Sequence, residues 1–123
     1  MQLAGKYELM RKLARDFAET ELTPEILDEV EDTGIFPKDI QKKMADTGFY
    51  GIKVPVKYGG QGSDHLAYAI TIEEFARVSA VGSLYVNSPN SLGGMPILIA
   101  GTEEQKMYQI YNQFLYFLPL KLL

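Results

Sequence analysis

The segment SDHLAYAITIEEFARVSA, residues 63–80, constrains the fold more than any other part of the chain. Leu66, Ala67, Tyr68, Ala69, Ile70, Ile72, Phe75, Ala76 and Val78 put apolar groups on most faces of a helix. A helix of that kind is a buried, central one, so the rest of the chain must supply elements to pack around it. Its start is also marked. Ser63 or Asp64 supplies the cap, and the Asp64 carboxylate suits the positive end of the helix dipole.

The surrounding elements read as helices. Leu3, Tyr7, Met10, Ala14 and Phe17 recur at spacings of four and three, which is one helical face. Lys6, Glu8, Arg11, Lys12, Arg15, Asp16 and Glu19 mostly fall elsewhere, as a solvated face would. That helix should stop near ELTPE. Thr23 then caps a second, acidic helix with Pro24 at its first position, where no needed hydrogen bond is lost. Ile26, Leu27 and Val30 form its apolar side, and Gly34 can take the left-handed conformation that ends it. A third helix starts at Pro37, carries Ile40 and Met44 one turn apart, and ends the same way at Gly48.

FYGIKVPVKYGGQG breaks the helical pattern with β-branched residues, a proline and glycines, so it reads as extended chain followed by a turn. After the central helix, VGSLYVNSPNSLGGMPILIAG is apolar and interrupted by Pro89 and Pro96, so it predicts two helical pieces rather than one rod. Thr102 with Gln105 three positions later forms a capping box for a last helix. No internal repeat or low-complexity linker is visible. The expected fold is all-α: a bundle of about five or six helices around a central buried helix, with a Gly-rich turn.

Composition bounds the function. A chain of 123 residues suits one domain. The net charge of −4 argues against nucleic-acid binding, which usually needs a basic excess. There are no cysteines, hence no disulfides or thiolate metal sites, which fits a reducing compartment. The charged N-terminus has no signal-peptide core, and no stretch reaches the ~20 apolar residues of a membrane span. The cytoplasm is the expected location.

Candidate chemical motifs are weak when taken singly. Gly59, Gly60 and Gly62 precede a helix start, a place where anions can bind. A phosphate-binding loop needs Lys and Ser/Thr after its last glycine, whereas Ser63 and Asp64 stand here, and the acidic residue would repel phosphate. Backbone geometry is the simpler reason for these glycines. Glu73 and Glu74 are neighbours on a helix and point about 100° apart, so they do not form a facing carboxylate pair. At least one should face solvent or pair with Arg77. His65 is the sole histidine, so no triad or histidine ligand cluster can be built on it; it reads as a surface residue. Between Tyr85 and Gly94, small residues alternate with bulky ones. That pattern suits close packing or a ligand.

The order of these segments is more specific. FPKDIQKKMADTGFYGIKVPVKYGGQGSD, then IEEFARVSA, then NSLGGMPILIAGTEEQK, preceded by RDFAETELTP, resembles the N-terminal helical domain of the acyl-CoA dehydrogenases. The resemblance covers roughly residues 3–106. It implies a flavoenzyme that oxidises an acyl-CoA thioester to the trans-2-enoyl product. In that family a glutamate base takes an α-proton, FAD accepts the β-hydride, and electrons pass to an electron-transfer flavoprotein. A β-rich middle domain and a C-terminal helical bundle complete the enzyme, usually as a homotetramer. They carry most FAD contacts and the catalytic glutamate, so the resemblance gives that role to neither Glu73 nor Glu74. This chain alone is expected to be inactive and free of flavin. Tyr85, Ser88, Pro89 and Leu92 are similar to the helix that lines the far end of the family's acyl pocket. Bulk there limits acyl length, at roughly 1–3 kcal/mol per methylene. Tyr85 and Pro89 therefore point to a short or unusual acyl group.

Residues 107–123, MYQIYNQFLYFLPLKLL, depart from the family pattern. Tyr111, Phe114, Leu115, Tyr116, Phe117, Leu118, Leu120, Leu122 and Leu123 make an apolar tail, which predicts self-association. Two other readings stay open. One is a stand-alone helical interaction or oligomerisation module on the same scaffold. The other is a helical acyl-CoA binder, although no Lys and Arg cluster marks a site for the CoA phosphates.

Overall fold

A computed structural model describes the backbone of residues 4–115 and the side chains of residues 4–110. It contains α1 (Gly5–Glu21), α2 (Pro24–Thr33), α3 (Lys38–Thr47), α4 (His65–Val78), α5 (Ala80–Asn87) and α6 (Gly94–Ala100). A short helix, α7 (Glu103–Gln105), runs on into a π-helical stretch, Lys106–Leu115. There is no strand among the described residues, so the all-α architecture is as the sequence predicts. The side chains of the apolar tail, from Tyr111 on, lie outside the described residues, as does Leu3.

The helix ends follow from local chemistry. Thr23 Oγ1 accepts from the Ile26 amide at 3.4 Å, and Gly34 and Gly48 close α2 and α3 with φ of +69° and +92°. Asp64 caps α4, its Oδ1 accepting from the Ala67 amide at 2.9 Å. The capping box is present: Thr102 Oγ1 accepts from the Gln105 amide at 3.2 Å, and Gln105 Oε1 accepts from the Thr102 amide at 2.9 Å. Two features differ from the sequence reading: the stretch expected to be extended holds two 3-10 turns, Phe49–Gly51 and Val56–Tyr58, and one helix boundary moves. The central helix does not continue through Ser79, which is extended and caps α5 with its hydroxyl on the Gly82 amide. A serine that satisfies the next helix start offers the backbone an alternative to one more helical turn.

The helix α4 lies between α1 and α5. Ala14 and Ala18 are fully buried, which lets α1 come close to α4. Phe17, Phe49 and Phe75 meet at 5.0–5.8 Å between centroids, two of the three pairs edge-on, an arrangement that aromatic rings prefer. Ile40, Met44 and Ile52 fill the same core. A second, smaller core of Val54, Tyr58 and Ile110, with Ile97 and Leu98 against it, seats the Lys106–Leu115 segment. α4 buries Ala67, Ile70, Thr71, Glu74 and Phe75 but leaves Leu66, Ala69 and Ala76 exposed. The helix is thus central but has one face that the other described helices do not cover. No helix among the described residues is long and apolar enough to cross a membrane.

The Gly-rich turn folds back on residues 51–56. Gly59 and Gly62 have φ of +89° and +60°. A Cβ at Gly60 would collide with the carbonyl of Val54, a backbone group that cannot rotate away. Gly60→Ala is therefore expected to lower stability by about 3 kcal/mol, the upper end for overpacking. Gly5→Ala, in open space at the start of α1, should be neutral or slightly stabilising. Urea midpoints of the two variants check this, and equal midpoints would contradict it.

Candidate functional site

The last turn of α5 and the stretch after it carry the predicted site residues. Proline at position 89 has no amide proton, so the α-helical ladder is interrupted. The chain widens into a π-helical turn, Ser88–Leu92, closed by the Gly93 amide on the Ser88 carbonyl at 2.7 Å. Gly94 packs so tightly on the Pro89 carbonyl that any Cβ would overlap it. Asn90, only 1% exposed, secures the turn from inside. Its Nδ2 donates to the Phe49 and Val86 carbonyls at 2.6 and 2.9 Å, and its Oδ1 accepts from the Lys53 amide at 3.1 Å.

This geometry divides the four predicted residues into two pairs. Tyr85 stacks on buried Phe36, with centroids 4.3 Å apart and planes at 19°, and Pro89 is buried. Ser88 and Leu92 are exposed, Leu92 to 68%. They continue a strip begun by Val81 and Leu84, the latter 56% exposed. Val81 and Leu84 were missed in the sequence. The signal was available as helical spacing from 81 to 84 to 88, but it does not say which way the strip faces.

The other candidate residues have structural surroundings. The amides of Gly59, Gly60, Gln61, Gly62 and Ser63 all donate to backbone carbonyls of Gly51, Ile52, Val54, Pro55 and Val56. The turn therefore has no free amides with which to cradle a phosphate. The start of α4 is occupied by Asp64 itself. That carboxylate accepts from Tyr7 Oη at 2.6 Å and Lys6 Nζ at 3.1 Å, and these contacts with the Ala67 amide hold it well below the usual carboxylate range. His65 and Glu73 are exposed. Glu74 is buried, with its side chain 3% exposed. Arg15 grips it with two hydrogen bonds of 3.0 Å, Arg77 adds one of 2.7 Å, and Arg11 approaches to 3.7 Å. Arg15 first, then Arg77, lowers the carboxyl's pKa against the opposing effect of burial. Glu74 is thereby a charged pin between α1 and α4. Among the described residues no carboxylate or histidine cluster could hold a metal ion.

A helical shell around α4, the glycine turn that starts it and the proline-broken pair after it define one class of protein. The chain belongs to the acyl-CoA dehydrogenase family, whose N-terminal domain matches residues 5–110. Among its relatives, a subunit of the caffeyl-CoA reductase–Etf complex, CarC, from Acetobacterium woodii is 60% identical over 105 residues, 85% of this chain and 28% of that protein. A 3-(aryl)acrylate reductase from Clostridium sporogenes is 57% identical over 106 residues, 86% of this chain and 28% of that protein. The solved butyryl-CoA dehydrogenase of Megasphaera elsdenii superposes with a TM-score of 0.80 at 30% identity, covering 94% of this chain and 30% of that one. The chain thus spans less than a third of the length of these relatives.

FAD, the cofactor expected from the family resemblance, needs a pocket for its pyrophosphate. The glycine turn, the start of α4 and the arginines of α1 and α4 do not fit that group. The turn amides are all used internally, Asp64 occupies the start of α4, and Arg11, Arg15 and Arg77 are engaged with Glu74.

Proposed function

We propose that this domain forms one wall of the acyl pocket in a flavoenzyme acting on the 2,3 double bond of aryl-acryloyl-CoA thioesters. In the complete protein, electrons are exchanged through an electron-transfer flavoprotein. The observation that carries this reading is the exposed strip Val81, Leu84, Ser88 and Leu92. It is an apolar surface with a small residue at its middle. Leu84 and Leu92 flank Ser88, and the notch suits a flat ring better than a continuous leucine ridge would. Tyr85 and Pro89 support this wall from behind, and the Phe36 stack holds Tyr85 in place. Supporting the substrate class are the names of two relatives at 57–60% identity, which specify caffeyl-CoA and 3-arylacrylates. In this reading the flavin site and the base belong to the remainder of the complete protein. The isolated chain is then inactive and colourless after incubation with FAD.

The test is kinetic. The complete protein carrying this domain is assayed for reduction of cinnamoyl-CoA and of crotonyl-CoA, with a reduced viologen dye as the electron donor for both. The aryl thioester is expected to be favoured by about tenfold or more in kcat/KM, the discrimination a shaped apolar pocket provides. Preference for the short aliphatic thioester would sink the substrate class. Dye reduction or flavin retention by the isolated 123-residue chain would overturn its inactivity.

A further inference from the structure

We propose that the apolar tail of this chain folds back on the strip Val81, Leu84, Ser88 and Leu92 and closes it. The inference does not depend on the choice of substrate. It needs only that the strip is apolar and open, and Val81, Leu84 and Leu92 are 38%, 56% and 68% exposed. Covering them removes apolar surface from water.

The chain enters its tail beside one end of the strip. Ile110, the last residue whose side chain is described, is fully buried with Val54 and Tyr58 and packs against Ile97 and Leu98 of α6. Its Cδ1 lies 3.9 Å from where a Cβ on Gly94 would stand, and Gly94 is two residues from Leu92. The described backbone then runs to Leu115, a helical advance of under about 8 Å. Residues 116–123 follow, and eight residues in extended chain span about 26 Å. The strip from Val81 to Leu92 is about 16 Å long at the helical rise. The tail is therefore long enough to reach it.

Its sequence, YFLPLKLL, has the matching pattern. Pro119 opposes a helix and biases Leu118 towards extended backbone. In extended chain Leu118, Leu120 and Leu122 share one face, while Pro119 and Lys121 share the other. The one charged side chain of the segment thus stays in water while the leucines are covered. Alternate residues of an extended chain stand about 6.6 Å apart. Four helical residues rise about 6 Å, the step from Leu84 to Ser88. A tail entering at the Leu92 end sets Leu118 beside Leu92, Leu120 in the notch at Ser88 and Leu122 beside Leu84. The contact is autoinhibitory: in this 123-residue chain, leucines of the same chain take the place proposed for the acyl group.

The test uses the 123-residue chain, whose lack of cysteine makes introduced thiols unambiguous. Ser88→Cys is combined with Leu120→Cys, and in a second variant Leu84→Cys with Leu122→Cys. Leu9→Cys with Leu120→Cys is the reference, because Leu9 is 71% exposed on α1, away from the strip. After mild oxidation of dilute protein, mass spectrometry and gel mobility separate disulfides within a chain from those between chains. A disulfide needs Cα atoms about 4.4–6.8 Å apart. Each strip pair is therefore expected to close within the chain about tenfold faster than the reference pair, which meets only through the tether. Strip pairs that close no faster than the reference would overturn the proposal. Disulfides formed mainly between chains would overturn it too, and would assign the strip to the tail of a second copy. No substrate enters these measurements, so either failure leaves the aryl-acryloyl reading standing.

Discussion

Glu74→Ala is expected to destabilise the domain by about 3 kcal/mol, the lower end of what breaking a buried ion pair costs. The carboxylate is 3% exposed and answers three arginines, whose side chains are 29–51% exposed. Partial exposure of the arginines lets water screen some of the charge left behind, which is why the lower end applies. Arg11 Nε is buried and makes no hydrogen bond even with Glu74 in place, so it depends on that charge at 3.7 Å. Glu74→Gln keeps the shape and removes the charge, so its loss should be smaller.

Acid should have the same effect reversibly. The folded carboxyl titrates below its ordinary value, while the unfolded one titrates near ~4.3. The stability that Glu74 contributes is therefore complete above the ordinary carboxylate range. It is lost as pH falls through that range towards the lower folded value. Urea unfolding from pH 7 to pH 3 should show a falling limb that is flatter in Glu74→Gln. Asp64, whose pKa is lowered by Tyr7, the Ala67 amide and Lys6, contributes a residual slope of the same sign. Superimposable acid limbs for the wild type and Glu74→Gln would remove Glu74 from this account.

Asn90→Leu should be at least as damaging, at about 3 kcal/mol or more. One side chain satisfies the Lys53 amide and the Phe49 and Val86 carbonyls, and a buried group left without a partner costs about 1–3 kcal/mol. Asn90→Asp is the more telling variant. It is nearly isosteric and can still accept from Lys53, but an ionised carboxylate cannot donate to two carbonyls. It is expected to fall close to Asn90→Leu in urea midpoint while the Lys53 amide stays protected from hydrogen exchange. In Asn90→Leu that amide should exchange quickly. Wild-type midpoints for both variants would show that the amide does not hold the turn.

Both residues show where reading the sequence stops. Glu74 was visible only as half of an adjacent pair. Helical geometry says that Glu73 and Glu74 diverge, but not which one faces α1. Asn90 gave no signal, because its three partners come from residues 49, 53 and 86. The break at Ser79 was hidden for a related reason. The apolar pattern ran through it, and the competing cap depended on Gly82 fitting beside Leu22. The family resemblance, by contrast, rested on segments whose order survives without any knowledge of contacts.

By itself the sequence determined the helices, their caps and their glycine stops, because Thr23, Gly34, Gly48, Asp64 and the Thr102–Gln105 box act within a few residues of themselves. It also determined that the glycines before α4 serve the backbone. Tertiary structure alone decided that Tyr85 and Pro89 turn inward while Leu84, Ser88 and Leu92 form an open strip. The physical reason is that a helix specifies the angles between its own side chains, while the direction of the set depends on which neighbours cover it.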